Sequence, residues 1–203
     1  MVYAGTHTPG ETAGRTGVDL NYGAAKDLQL SLSLPIAYDT AASPRYGVGD
    51  VAVSAKYRLL QQAEGSWTPD VAVFPEIDLP TATDSFGNGR ASLFLPAWAQ
   101  KDFGGWSVFG GGGLRINSAP DRRNSWLFGA AVTRQVAGPL QLGVELYRQT
   151  ADTPGETGAT NLGFGMIYRF NPRFALVASG GPRLNAPAGE ASTSFFAALE
   201  INY

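Results

Sequence analysis

The chain contains no cysteine and a single histidine among its 203 residues. Without cysteine there is neither a disulfide framework nor a thiolate metal site. One isolated histidine, His7, offers no metal-ligand spacing, and no cofactor is expected. The same scarcity weighs against hydrolytic chemistry, in which a histidine serves as general base or orienting partner. His7, followed by Thr8, reads as a surface residue at the end of a strand. Lysine is also sparse, occurring only at Lys26, Lys56 and Lys101, and charged residues make up 16% of the chain, against roughly 25% in soluble domains. The net charge of -2 comes with no basic run, so there is no electrostatic footprint for nucleic acid. No apolar run is long enough for a transmembrane helix. The opening MVYAGTHTPG lacks the charged and apolar regions of a signal peptide; if exported, the chain is a mature form with a start Met added, or a truncated one. Helical periodicity is missing throughout.

What is present is alternation. In DLQLSLSLPIAY (27–38), Leu28, Leu30, Leu32, Leu34 and Ile36 share one face, and Gln29, Ser31, Ser33 and Pro35 share the other. Period two is the signature of a β-strand, and it recurs near 2–8, 14–24, 28–38, 48–59, 69–80, 90–100, 105–117, 124–136, 140–149, 159–170, 173–183 and 193–203. Tight turns at AKD, KDFG, AGP and NP alternate with longer polar stretches: PGETAG, DTAASPRYG, TATDSFGNG, SAPDRR, TADTPGETG and LNAPAGEAS. QQAEGSWTP is longer than the other turns of its end. Short connections at one end and long ones at the other are expected of an outer-membrane meander with periplasmic turns and extracellular loops. The expectation is an all-β fold: one closed antiparallel up-and-down transmembrane barrel of about 12 strands over residues 1–203, with both termini on the periplasmic side. Glycine, at 26 residues, falls largely inside strands. In FGGGGL (109–114) the Lys-Ser/Thr of a phosphate loop is missing, and glycine there permits bending, tight packing or close approach.

Three features indicate lipid outside rather than water. The apolar run from Leu28 to Ile36 spans about 27 Å at roughly 3.4 Å per residue, or about 21 Å of membrane normal at a tilt near 40°. The opposite face carries Ser, Gln, Gly, Asn and Ala rather than Lys and Glu. Aromatics gather at both ends of the apolar face: Tyr22, Tyr57, Trp106, Tyr168, Phe170, Phe174 and Tyr203 near the short turns, and Tyr38, Trp126 and Phe195 near the loops. That is a double girdle at headgroup depth. A closed barrel also leaves no unpaired backbone in hydrocarbon. The last strand, SFFAALEINY, alternates to a terminal aromatic and is expected to be read by the outer-membrane assembly machinery.

The segments LNYGAAKDLQLSLSLP (20–35), GVGDVAVSAKYRLL (47–60), PEIDLPTAT (75–83), FGGWSVFGGGGL (103–114) and LQLGVELY (140–147) together resemble the MetA-pathway of phenol degradation family of outer-membrane transporters. The resemblance runs through most of the chain in order. It implies an integral barrel in the outer membrane of a Gram-negative bacterium, porin-like, and a channel for aromatic or apolar nutrients. It brings no catalytic residues.

The other parity faces the lumen. Its charged lining is expected from Asp50, Lys56, Arg58, Asp70, Glu76, Asp78, Arg90, Arg115, Glu145, Arg169, Arg173 and Glu200, since a charge on the lipid side costs about 2–4 kcal/mol near the midplane. Arg134 and Arg148 face lipid by parity but lie at strand ends, where Arg reaches headgroups. Phe74, Phe94, Trp98 and Phe109 share the polar parity on three consecutive strands and are expected to form an aromatic wall for flat apolar solutes. The functional expectation is passive diffusion of small apolar or aromatic solutes across the bilayer, without enzymatic activity. The alternatives are a plugged, non-conducting barrel that anchors or scaffolds, a His7-dependent lipid hydrolase, and a soluble ligand-binding barrel.

Overall fold

The computed structural model describes every residue except 42, 64, 84, 85, 88, 188, 189 and 203. Its strands are β1 (Val2–Thr8), β2 (Glu11–Ala25), β3 (Leu28–Asp39), β4 (Arg45–Val48), β5 (Val51–Leu60), β6 (Asp70–Val73), β7 (Glu76–Leu79), β8 (Ser92–Phe103), β9 (Trp106–Asn117), β10 (Ser125–Ala137), β11 (Leu140–Gln149), β12 (Ala159–Arg169), β13 (Phe174–Pro182) and β14 (Thr193–Ile201). All fourteen belong to one antiparallel sheet, and β1 pairs with β14, which closes it. Two staves are interrupted. β4 and β5 both pair with β3, and β6 and β7 both pair with β5 and β8. Counting each broken pair once gives a closed barrel of 12 strands.

Each break has a local cause. Between β6 and β7 the chain reads Phe74–Pro75, and Pro75 has no N–H to donate; its carbonyl still accepts from Ala55 N at 3.1 Å. Between β4 and β5 the register against β3 shifts at Gly49–Asp50: Ile36 faces Val48, whereas Ser33 faces Ala52. One extra residue is therefore accommodated there as a bulge. Three further shifts fall at Gly23/Ala25, Arg58/Leu60 and Gln135/Ala137, all at the periplasmic end, the first and last beside two-residue turns and the second beside the longer 61–69 connection.

The turn that joins β8 to β9 is Gly104–Gly105, with φ of 54° and 81°, the left-handed pair a two-residue hairpin needs. The expected loop PGETAG is instead a tight turn at Pro9–Gly10, because Glu11 continues directly into β2 opposite Thr8. Its first residues lie above the apolar band, where nothing imposes hydrophobic alternation, so their strand character leaves little trace in the sequence.

Side-chain exposure separates the faces. Leu20, Leu30, Leu34, Ile36, Val53, Val132, Val144, Leu146 and Leu199 are all exposed on the outer surface, an apolar belt that only lipid can cover. At its periplasmic edge, Tyr22, Tyr57, Trp106, Phe170 and Phe174 are exposed. Tyr168 meets Phe170 edge-on at 5.0 Å, and the Arg134 guanidinium lies 4.9 Å over the Trp106 ring. At the upper edge Trp126 is exposed, and Tyr3 stacks on both Tyr38 (5.5 Å) and Phe195 (5.1 Å). Tyr38 lies across Gly14 and Gly5: a Cβ at either would sit 2.7 Å from its hydroxyl. Those two glycines leave the hollow that this ring fills. Tyr203 lies outside the described residues.

Candidate functional site: the barrel lumen

The inward face is the polar parity, and described residues on it line a larger and a smaller cavity. The larger, about 1140 Å³, is lined near the loops by Asp50, Arg90, Asn117 and Asp152. On the β10–β13 wall its lining continues to Thr133, Gln141, Ile167 and Val177, and Gln141 is the second residue after the β10–β11 turn. Open space thus runs through most of the height of that wall. The smaller cavity, about 480 Å³, sits toward the periplasmic end and is lined by Gln29, Lys56, Arg58, Asp70, Phe74, Trp98, Gln100 and Phe109.

The aromatic residues divide between these regions. Trp98 and Phe109 stack with centroids 4.7 Å apart and planes within 3°. The indole has room because it crosses Gly111, where a Cβ would meet the Trp98 ring at 2.9 Å. Phe74 joins them in lining the smaller cavity. Phe94 stands apart: it is buried, touches neither cavity, and packs under the Arg115 guanidinium at 4.9 Å. Three of the four rings thus line one cavity, and the fourth packs against Arg115.

That cluster centres on Arg115. It binds Asp78 directly, reaches Glu76 at 3.5 Å, and donates to Ser92 Oγ at 3.0 Å; Ser92 in turn donates to Asp78 at 2.6 Å. Register explains the meeting, since Asp78 pairs with Ser92 and Glu76 with Phe94, itself opposite Arg115. Lower down, Arg58 binds Asp27 at 2.8 Å and faces Asp70 at 3.8 Å. Glu145 lines the larger cavity. Arg169 and Glu200 flank Ala175 in one inward row at the periplasmic mouth. Arg173 lies exposed in the turn before β13 rather than on a strand, its backbone N–H donating to Asn171 Oδ1 at 2.9 Å. Arg90 is on the loop ahead of β8 rather than on a strand, though it still borders the larger cavity.

Described residues of the β7–β8 connection border the lumen near its loop end. Asp50, on the inward parity it shares with Ala52 and Lys56, accepts from the backbone N–H groups of Thr81 and Ala82 at 3.0 and 2.9 Å. Phe86 rests where a Cβ on Gly47 would lie, 2.7 Å from that position, with Arg45 5.8 Å from its ring. Phe86, Arg90 and Ala91 all border the larger cavity. On the far rim, Arg122 binds Asp152 at 3.2 Å, Arg123 donates to Ala151 O at 2.9 Å, and Arg183 donates to the carbonyls of Thr157 and Gly158 at 3.3 Å. These contacts tie the three loops of that side together.

Several lumen residues escape a reading of charges and ring clusters. Arg15 lines the larger cavity, and the alternation of β2 alone would have placed it inward. Tyr147 spans the inner faces of β12 and β13 to donate to Ser194 Oγ at 3.3 Å; parity within LQLGVELY puts it opposite Leu146. His7 faces outward at the upper rim, its Nδ1 2.8 Å from Thr12 Oγ1. Among the described hydrogen bonds it meets no carboxylate.

A model of the family described as "Putative MetA-pathway of phenol degradation" matches residues 2–197. The chain belongs to that family. No curated protein sequence matches it. Among solved structures, the COG4313 outer membrane channel from Pseudomonas putida F1 superposes with a TM-score of 0.77 at 16% identity, covering 99% of this chain and 93% of the other. The KdgM porin gives 0.65 at 9%, covering 100% and 98%. Outer membrane phospholipase A from Escherichia coli gives 0.55 at 12%, covering 99% and 89%. At such identities the likeness is one of fold, and that fold is the integral outer-membrane β-barrel. This member of the phenol-degradation family therefore resides in the bacterial outer membrane.

Proposed function

We propose that the protein is an outer-membrane channel for passive diffusion of small apolar or aromatic solutes. The observation that carries this reading is the larger cavity, which side chains leave open from the loop rim to the rows beside the periplasmic turns. The wall of Phe74, Trp98 and Phe109 supports the aromatic preference. Ring stacking supplies about 0.5–1.5 kcal/mol per pair, enough to draw a flat solute from water and weak enough to release it. Family membership and the channel and porin structures of the same fold favour conduction. The alternation of β14 supports recognition by the assembly machinery.

A plugged barrel has one observation in its favour, the placement of Phe86, Arg90 and Ala91 on the border of the larger cavity. Single-channel recording of refolded protein in a planar bilayer separates the two: discrete conductance steps are expected, and their absence would establish the plugged barrel. In proteoliposomes, Phe74→Ala with Phe109→Ala should slow phenol uptake while ion conductance persists. A parallel fall in both would make the rings structural packing.

A further inference from the structure

The smaller cavity holds a charge as well as a ring wall. Lys56 lies directly across the ladder from Phe74, since Tyr57 pairs with Val73 and Ala55 N donates to Pro75 O. Gln29 flanks Lys56 on its other side, and both side chains line the cavity. The neighbouring cation, Arg58, is held by Asp27 and Asp70. Lys56 has no ion-pair partner among the described residues and is exposed to the lumen. One ammonium without a direct ion-pair partner therefore stands at the edge of a wall made by Phe74 and the Trp98–Phe109 stack, in a lining whose other charges are Arg58, Asp27 and Asp70.

This juxtaposition selects a ligand with two parts. A planar ring covers the wall and removes apolar surface from water. A single negative group on the rim of that ring reaches Lys56 without being buried, so it keeps most of its hydration and avoids the desolvation penalty of a closed ion pair. A neutral aromatic gains only the first part, and an aromatic amine is repelled by Lys56. We propose that the smaller cavity is a binding subsite for aromatic monocarboxylates, the solute pausing there with its ring on the wall and its carboxylate on Lys56. The assignment deepens the reading of the lumen as a path for aromatic solutes, but occupancy of the subsite does not require conduction.

The test is quenching of Trp98 fluorescence in refolded protein, in detergent, titrated with benzoate, benzyl alcohol and benzylamine. Trp98→Phe serves as the blank that subtracts Trp67, Trp106 and Trp126. Benzoate should quench saturably. Lys56→Gln should raise its midpoint by about fivefold, the upper range for an exposed ion pair, and leave benzyl alcohol within about twofold; Lys56→Arg should restore benzoate. If Lys56→Gln does not fold, raising salt from roughly 0.1 to 1 M on the wild type makes the same distinction, because screening weakens only the charged ligand. Equal effects on benzoate and benzyl alcohol, or quenching by benzoate that never saturates, would overturn the proposal. Saturable benzoate binding by a protein that shows no conductance would refute the channel and keep the subsite. Conductance without such binding would do the reverse.

Discussion

Placing a charge at Leu32 tests which solvent surrounds the barrel. Leu32 is the middle residue of the outward run from Leu28 to Ile36, paired with Leu20 on one side and Val53 on the other. With about 21 Å of membrane normal in that run, an Arg at its centre lies roughly 10 Å from either edge, too deep to snorkel cheaply. The cost near the midplane is about 2–4 kcal/mol, which shifts the folding equilibrium roughly 30- to 700-fold. Ser31 is the adjacent residue on the lumen face. Its Oγ donates to Asn21 Oδ1 at 2.6 Å and accepts from Gln29 at 3.2 Å. Ser31→Arg forfeits those bonds, at most about 0.5–1.5 kcal/mol each, and water in the lumen replaces part of them. Urea titrations of folding into phospholipid vesicles, followed by heat-modifiable gel mobility, should show Leu32→Arg failing to insert while Ser31→Arg inserts with a modest loss. If Ser31→Arg is as damaging as Leu32→Arg, the lipid and lumen faces are wrongly assigned.

Asp50→Ala removes the acceptor of the Thr81 and Ala82 N–H groups, each bond contributing about 0.5–1.5 kcal/mol; the segment at Thr81–Ala82 should loosen, and single-channel records should become noisier with a higher mean current. An unchanged record would mean that the segment is held by its other contacts. His7→Ala should leave conductance unaltered, and neither protein should hydrolyse phospholipid in a fatty-acid release assay. Hydrolysis by the wild type that disappears in the variant would make His7 part of an active site.

Much of this architecture is legible in the sequence because lipid and lumen act on alternate residues. LQLSLSLPI reads cleanly as β3 since every outward position meets hydrocarbon and every inward one meets polar neighbours. Where that pressure lapses, the reading fails. Residues 11–14 lie above the hydrocarbon, so a strand was legible only as a polar loop. Arg173 has the right parity for the lumen but sits past the end of its strand, where parity has no meaning. Phe94 shares the inward face with Trp98 and Phe109, yet its role is set by Arg115 on the next strand, a cross-strand partner that only register reveals. Asp50 is legible as a lumen residue from its parity with Lys56 and Arg58, but its bonds to the Thr81 and Ala82 N–H groups join distant parts of the chain, and alternation does not reveal them.

The placement of the bulges has a consequence for how this gene can change in length. An added residue reverses the facing of everything beyond it on its strand, turning leucines toward the lumen and serines toward lipid. Three shifts, at Gly23/Ala25, Arg58/Leu60 and Gln135/Ala137, sit at the periplasmic ends of their strands, so the reversal reaches only the residue or two before the chain leaves the bilayer. The fourth, at Gly49–Asp50, lies near the loops. Single-codon insertions and deletions are therefore confined to the two rims of the wall, while the stretch between them can lengthen or shorten only by pairs of residues that adjoining staves match.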